Sequence, residues 1–351
     1  MFKLHVFALA FFAVALSSGA PPANAEPAIA VSIKPVHSLV AGVTRGVSEP
    51  YLLIPGSASP HTYSLKPSDA QALEDTDLVF WIGPDLETVM TGPLEALADE
   101  ASVVALADTP GVTLLPVREG DDWDTHEHHG DDGHAHEDEH EHDHAHDEEH
   151  SHEHEHGDAH DHGDEHADDH GEHTHAHGET DMHIWLDPQN AKAMVAHIVN
   201  VLREADPANA ATYDQNGAEI TAQLDALTAE LRDTLAPVKD EPFFVFHDAY
   251  QYFELAFGLN AAGAITVSPD IQPGAQHLRE IGEKLGKAGA NCIFAEPQFT
   301  PKLIEVVTEG TDARSGVLDP VGADIAAGPD MYFTLMRRNA RALRQCLSAD
   351  G

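Results

Sequence analysis

Short β-branched and aromatic runs alternate with helical stretches along most of this chain of 351 residues, and that alternation limits the fold more than any other feature. Strand, helix and strand in this order predict a mostly parallel sheet with helices on its faces. The pattern occurs twice. Strands are predicted first at residues 30–33, 51–54, 78–82 and 102–106, and then at residues 243–246, 263–266, 292–295 and 316–318. The sequence therefore predicts an α/β protein with two similar lobes.

A long helix is predicted between the two sets of strands. Asp206 and Pro207 are typical of a helix start, and Pro237 ends the pattern. Between them, residues that suit a buried helix face recur in steps of four and three: Tyr213, Gly217, Ile220, Leu224, Leu227 and Leu231. A helix of about 30 residues is roughly 45 Å long. It is either half of a coiled coil or a backbone that runs across two lobes.

The first 25 residues have the features of a secretory signal peptide: Lys3, an apolar run at 6–16 and the small-residue sequence Ala23-Asn24-Ala25. No cysteine lies near this cleavage site to carry a lipid anchor. We therefore expect a soluble, exported protein in the periplasm. Its predicted parts are the signal peptide at 1–25, an N-terminal lobe at 26–205, the linking helix at 206–237 and a C-terminal lobe at 238–351.

Residues 121–181, within the predicted N-terminal lobe, form a tract of unusual composition. The tract holds 20 of the chain's 27 histidines and 25 acidic residues, with no lysine or arginine. Because almost no apolar side chain follows Trp123, burial cannot offset the entropy lost on ordering, and we expect the tract to be disordered. Imidazole and carboxylate ligands suit borderline divalent ions, zinc above all, with nickel and copper as competitors. The tract predicts a protein that handles metal cations.

The net charge and the cysteines narrow the function further. The formal charge is −43, and setting aside the acidic residues of the tract leaves about −18. A chain this acidic is a poor partner for nucleic acid or anionic lipid. The two cysteines are Cys292 and Cys346. In an oxidising compartment such a pair favours a disulfide over a metal site or a nucleophile.

Six histidines lie outside the tract and the predicted signal peptide, and three of them are candidate metal ligands. His61 lies in a loop just past the strand at 51–54, and His247 directly follows the strand at 243–246. Ligands of open α/β sheets bind at the carboxyl ends of the strands, so both histidines are predicted to point into a cleft between the lobes. His183 precedes the helix that leaves the first lobe. The others, which we assign to structural, surface or capping roles, are His37, His197 and His277.

Three imidazoles suit zinc, which takes nitrogen at about 2.0–2.1 Å and usually has four ligands in a tetrahedron. Water or a carboxylate would complete the set. Asp319 and Glu296 each follow a predicted strand of the second lobe, and position alone does not choose between them. Three histidines with an open position also describe catalytic zinc. A zinc-dependent hydrolase or hydratase is therefore the alternative function, with Glu296 as its candidate base.

Five segments of the chain resemble one protein family in sequence and in order. They are residues 56–69 (GSASPHTYSLKPSD), 183–188 (HIWLDP), 246–253 (FHDAYQYF), 294–299 (FAEPQF) and 318–320 (LDP). Together they look like the periplasmic zinc-binding protein of the high-affinity zinc-uptake ABC transporter, in cluster A-I of the solute-binding proteins. The similarity spans the whole mature chain, and a His-rich acidic loop before the second motif is typical of the zinc branch.

The resemblance implies a zinc site of His61, His183 and His247 in the interlobe cleft, completed by Asp319 or water. Manganese-binding relatives typically carry a glutamate at the third position, so a histidine there favours zinc. Some zinc-binding relatives have a glutamate just before the first histidine. This chain has Pro60 at that position, which leaves Asp319 or solvent as the fourth ligand.

The resemblance also implies that the long helix joins the lobes as a stiff backbone and that Cys292 pairs with Cys346. We predict a non-enzymatic protein that captures Zn²⁺ and delivers it to an inner-membrane ABC permease. The tract is expected to concentrate or sense zinc, with a zinc chaperone as a candidate donor, and the protein is expected to be a monomer. An adhesin-type or metal-sequestering surface protein is a further alternative. Because imidazole must be deprotonated to bind, zinc affinity should fall below a pH of about 6.5.

Overall fold

The structure is a computed structural model that describes residues 26–118, 180–266, 273–299 and 302–348. The predicted signal peptide at 1–25 and residues 121–179 of the His-rich tract lie outside the described residues, so the predictions made for them stay predictions.

The first lobe alternates strands and helices as the sequence predicts. Its elements are β1 (Ile29–Ile33), α1 (Lys34–Val43), β2 (Tyr51–Ile54), α2 (Pro67–Glu74), β3 (Leu78–Trp81), α3 (Thr91–Leu97) and β4 (Ser102–Ala105). All pairs in the sheet are parallel, in the order β2-β1-β3-β4. Every residue of β1 is buried, as expected for a central strand that is covered on both faces. α3 begins only at Thr91, because Pro93 lacks an N–H and is tolerated only in the first turn of a helix.

A short antiparallel pair of strands brings together the segment before the His-rich tract and the segment after it. β5 (Leu115–Pro116) pairs with β6 (Thr180–Asp181). α4 (Pro188–Ala205) follows. The Asp187 side chain caps its start by accepting a hydrogen bond from the Gln189 amide, and Pro188 occupies the first helical position.

The long helix is α5 (Ala210–Leu235). Its 26 residues span about 39 Å, and short 3₁₀ turns at Pro207–Asn209 and Ala236–Val238 extend it at both ends. Gly217 lets α5 approach α4, because a Cβ there would lie 2.5 Å from Val199 Cγ2. α5 packs against α1 and α4 of the first lobe and against α9 (Met331–Leu347) of the second. It therefore joins the lobes, and the coiled-coil alternative does not apply.

The second lobe repeats the topology of the first. Its remaining elements are β7 (Pro242–His247), α6 (Gln251–Phe257), β8 (Asn260–Thr266), α7 (Ala275–Lys287), β9 (Cys292–Ala295), α8 (Lys302–Thr308) and β10 (Arg314–Val317). The sheet order is β10-β9-β7-β8, again parallel throughout. In both lobes the first strand is central, the second flanks it on one side, and the third and fourth follow on the other. The prediction of an α/β protein with two parallel-sheet lobes and a long helix is confirmed.

The main apolar core is continuous from the first sheet through α4 and α5 to β7, β9 and α9. The opposite face of the second sheet has a smaller core of its own with α7 and α8, which includes Phe244, Ile265 and Ile293. None of the described helices has the length and apolar character needed to cross a membrane. Because the lobes share one core, the carboxyl ends of β1 and β7 are held at a common cleft.

Candidate metal centre

Three histidines from distant parts of the chain meet in this cleft. His61 lies in the loop that follows β2, His183 lies between β6 and the 3₁₀ turn Ile184–Leu186, and His247 is the last residue of β7. One ring nitrogen from each lies within 4.8 Å of the others. The structure therefore brings together the three histidines that the sequence singles out.

The geometry is tightest between His183 and His247. Their Nε2 atoms are 3.3 Å apart, and both side chains are buried, with 7% and 3% of the residue exposed. The ring centroids are 5.2 Å apart, and the half-buried His61 ring lies 5.5 Å from that of His183 and 6.0 Å from that of His247. The three rings surround one small volume.

A carboxylate lies behind each of the two buried imidazoles. His183 Nδ1 donates to Asp181 Oδ1 at 2.8 Å, and His247 Nδ1 donates to Glu296 Oε1 at 2.6 Å. A carboxylate can only accept, so it holds the proton on Nδ1 and leaves Nε2 as the nitrogen with a lone pair. Such carboxylate and histidine pairs orient metal-binding imidazoles and increase their basicity.

The charge around His247 favours a cation. Burial of the imidazole lowers its pKa, but the neighbouring Glu296 carboxylate, together with Asp248 and Asp181, outweighs burial and raises the pKa above the usual 6.5. This direction means that the site attracts a positive charge even before a metal arrives.

All three histidines line one cleft. It is mostly apolar at its walls, with the Trp185 ring tilted against His183 at 5.3 Å and Phe299 edge-on at 6.1 Å from His247. The remaining lining residues are Ser59, Pro60, Glu296, Gln298, Pro320 and Val321. Apolar walls lower the local dielectric constant and therefore strengthen electrostatic interactions inside the cleft.

Both candidate fourth ligands make hydrogen bonds to other groups, although Glu296 Oε2 is buried without a hydrogen-bond partner among the described residues. Asp319 does not line the cleft. Its Oδ1 accepts from the amides of Val321 and Gly322, and its Oδ2 accepts from the amide of Ala323. Glu296 does line the cleft, but one of its oxygens is bonded to His247.

The other three histidines lie away from this group. His37 Nε2 is 2.9 Å from the Pro50 carbonyl oxygen, which agrees with a structural role. His197 is half-buried on α4. The assignment of His277 to a surface or capping role was wrong, because the residue is buried with 8% exposed and its Nε2 lies 2.9 Å from the carbonyl oxygen of Ile265 in β8. The sequence did not show whether His277 lies on the buried or the exposed face of α7.

Two further features support the site. Cys292 and Cys346 form the predicted disulfide, which ties β9 to α9. Arg118 forms ion pairs with Asp248 and Glu254, and so anchors the chain next to His247. The Arg118 contacts were not anticipated, because nothing local in the sequence relates residue 118 to residue 248.

Comparison with known proteins gives the family. The family described as ZnuA, zinc-uptake complex component A, periplasmic, matches residues 29–346. A high-affinity zinc uptake system protein ZnuA from Brucella suis biovar 1 (strain 1330) is 50% identical over 348 residues, which are 99% of this chain and 100% of that protein. The protein of the same name from Paracoccus denitrificans (strain Pd 1222) is 42% identical over 340 residues, which are 96% and 97%.

Solved structures agree in fold. A crystal structure of ZnuA has a TM-score of 0.69 and 24% identity, covering 92% of this chain and 99% of that one. The periplasmic zinc binding protein TroA from Treponema pallidum has a TM-score of 0.69, 19% identity and the same coverage. The motif resemblance found in the sequence is thus confirmed. Since the family matches nearly the whole chain and a relative is half identical over its full length, this chain belongs to the ZnuA family of periplasmic zinc-uptake components.

Proposed function

We propose that this protein captures Zn²⁺ in the cleft between its lobes, with His61, His183 and His247 as ligands, and delivers it to the permease of an ABC-type zinc importer. The observation that carries the proposal is the convergence of two Nε2 lone pairs at 3.3 Å in a buried cleft. Two acceptors this close repel each other unless a cation lies between them. Two nitrogens bound to tetrahedral zinc at about 2.05 Å are about 3.3 Å apart.

His61 completes the protein ligands in this proposal. Its nitrogen lies within 4.8 Å of the other two, so a shift of its loop by about 1 to 2 Å would bring it to the tetrahedral spacing. We infer that water is the fourth ligand. Asp319 is held by three backbone amides, and Glu296 supports His247.

A transport role agrees with the site better than catalysis. A zinc hydrolase needs a general base near the bound water. Glu296 is the acidic residue among those that line the cleft, and its contact with His247 makes it an orienting group. We therefore propose that the protein is not an enzyme, and expect the zinc-loaded form to show no hydrolase or hydratase activity.

The ligand set is tested by alanine substitution of each histidine. Zinc affinity is measured on the purified mature chain by competition with a chromophoric chelator. We expect His61→Ala, His183→Ala and His247→Ala each to weaken binding by at least about 100-fold, because about 100-fold is already the upper end for losing only a group that orients a ligand. His197→Ala is the matched control and should bind as the wild type does. Tight binding by all three ligand variants would refute the assignment.

The role of the His-rich tract is a separate proposal. We infer that it holds zinc weakly and raises the local concentration near the cleft, or senses excess zinc. A deletion should stop at residue 179, because Thr180 and Asp181 belong to β6 and Asp181 orients His183. Deletion of 121–179 should remove the weak sites and keep the tight one. Loss of the tight site as well would contradict separate roles.

The remaining parts of the proposal concern location and partners. The mature protein is proposed to begin after Ala25 in the periplasm and to be a monomer, with a zinc chaperone as a candidate donor. N-terminal sequencing of the exported protein and sedimentation velocity test the first two directly, and zinc transfer from a loaded chaperone tests the third.

A further inference from the structure

Lys34 makes an unusual contact between the lobes. It is the first residue of α1, directly after the central strand β1, and its side chain is buried. Its Nζ donates to three carbonyl oxygens of the other lobe: Gly322 at 2.7 Å, Ala323 at 3.1 Å and Ile325 at 2.6 Å. An ammonium group has three N–H donors, and here it meets three acceptors. Each N–H of the ammonium group therefore has one carbonyl acceptor.

The acceptors belong to one short segment, the 319–325 loop, which follows β10. Asp319 accepts from three amides of this loop, while Lys34 donates to its carbonyls. The loop is therefore held from within its own lobe by a carboxylate and from the opposite lobe by an ammonium. Burial lowers the pKa of Lys34, and Asp319 and Asp324 oppose that change. Three carbonyl acceptors can pair only with N–H donors, so the geometry requires the protonated form.

The 319–325 loop also forms one wall of the metal cleft, through Pro320 and Val321. The Pro320 carbonyl accepts from Trp185 Nε1 at 2.8 Å, and the Trp185 ring packs on His183. Gln298, which follows β9 and lies outside the loop, donates from Nε2 to Asp319 Oδ1 at 3.0 Å and to the Gly56 carbonyl at 3.3 Å, in the segment that leads to His61. The loop thus contacts the first lobe directly through Pro320 and is linked through Gln298 to the segment before His61, and Lys34 supplies its one charged attachment to that lobe among the described contacts.

We propose that Lys34 is a positioning residue that holds the 319–325 loop against the first lobe and thereby slows the release of zinc. The inference rests on the proposed function, since it concerns the exit of the same ion from the same cleft. Lys34 does not touch the ligands, so its effect is on how firmly the cleft stays closed. Loss of a buried, charge-assisted contact acts mainly on dissociation rates.

The test is a chelator chase of the zinc-loaded mature chain, followed by stopped-flow absorbance. We expect Lys34→Met to speed zinc dissociation by about ten-fold or more, with the association rate changed by less than about three-fold. Gly56→Ala tests the same contact while Lys34 is retained. A Cβ at position 56 would lie 2.7 Å from Lys34 Cδ and 2.9 Å from the Gly322 oxygen, so this variant should also release zinc faster.

Val199→Ala separates positioning from general stability. Val199 packs against Gly217 between α4 and α5, so the variant should lower the melting temperature and release zinc at the wild-type rate. The inference is overturned if Lys34→Met and Gly56→Ala both release zinc at the wild-type rate, or if Val199→Ala speeds release as much as they do. A wild-type protein that fails to bind zinc would instead refute the proposed function, which is a distinct result.

Discussion

Replacing Glu296 by glutamine removes one negative charge behind His247 and keeps the shape and one acceptor oxygen. Glu296 is buried, and its Oε1 lies 2.6 Å from His247 Nδ1. A zinc ion on the far nitrogen of this imidazole would lie about 6 to 7 Å from the carboxylate. With an effective dielectric constant of about 20, the attraction between them is about 5 kcal/mol.

Not all of this attraction contributes to zinc affinity, because in the free protein Glu296 also stabilises a proton on His247, and zinc must displace that proton. A single charge at about 4 Å is attracted by about 4 kcal/mol under the same assumption. When zinc must displace that proton, the difference is about 1 kcal/mol, or roughly five-fold in affinity. When the imidazole is already neutral in the free protein, no proton is displaced and the loss is larger. The substitution also removes the cost of burying the carboxylate charge, so the loss stays below the full Coulomb attraction, and we expect the 10-fold to 100-fold reduction typical of such orienting groups.

The assay is zinc competition with a chelator at pH 6 and pH 8. Glu296→Gln should lose about five-fold at pH 6 and at least about 10-fold at pH 8. Asp206→Asn is the control. Asp206 is a buried carboxylate at the opposite end of α4 that accepts from Tyr213 Oη, so its loss should cost stability and leave zinc affinity unchanged. An undiminished affinity at pH 8, or a greater loss at pH 6 than at pH 8, would refute the reasoning.

Two further predictions concern acid and the disulfide. The pKa of His247 lies above 6.5 because Glu296, Asp248 and Asp181 outweigh the lowering by burial, so a proton competes with zinc from a higher pH than the sequence alone suggests. Zinc affinity should rise with pH until that raised pKa is passed, and a midpoint at or below pH 6.5 in chelator titrations would contradict this. The disulfide joins cysteines that are 54 positions apart. Replacing Cys292 and Cys346 by serine removes this cross-link and should lower the free energy of unfolding by about 4 kcal/mol. Guanidinium unfolding of the zinc-free protein measures this loss, and the reduced wild type should be as stable as the double variant. Equal stability with and without the disulfide would show that the prediction is wrong.

Several parts of the fold were predictable because their signals are local. The strand at 51–54 follows from a short run of aromatic and aliphatic residues, and the long helix follows from a start signal and from buried positions that recur in steps of four and three. The long helix was predicted with about 30 residues, and its ends differ because Pro207 and Pro237 lie in 3₁₀ turns that flank the α-helical part. The three histidines were predictable because each follows or approaches a strand end, where parallel sheets place ligands.

The supporting groups were less predictable. Glu296 was considered as a fourth ligand or a base, and only the packing of β9 beside β7 brings its carboxylate to His247 Nδ1. Asp319 was equally well placed in sequence, but the turn after β10 directs its oxygens at the amides of its own loop. A carboxylate's role depends on which donors lie within about 3 Å of it, and sequence separation does not specify that distance.

By itself, the sequence determined that this chain forms two parallel-sheet lobes joined by a helix and that three imidazoles are available to a borderline metal ion, because periodicity, capping and ligand type are properties of neighbouring residues. The tertiary structure alone decided that two of those imidazoles face each other at 3.3 Å, with a carboxylate behind each. It also decided that Lys34 reaches a loop 288 positions away. These contacts depend on how the lobes pack across α5, which no local pattern encodes.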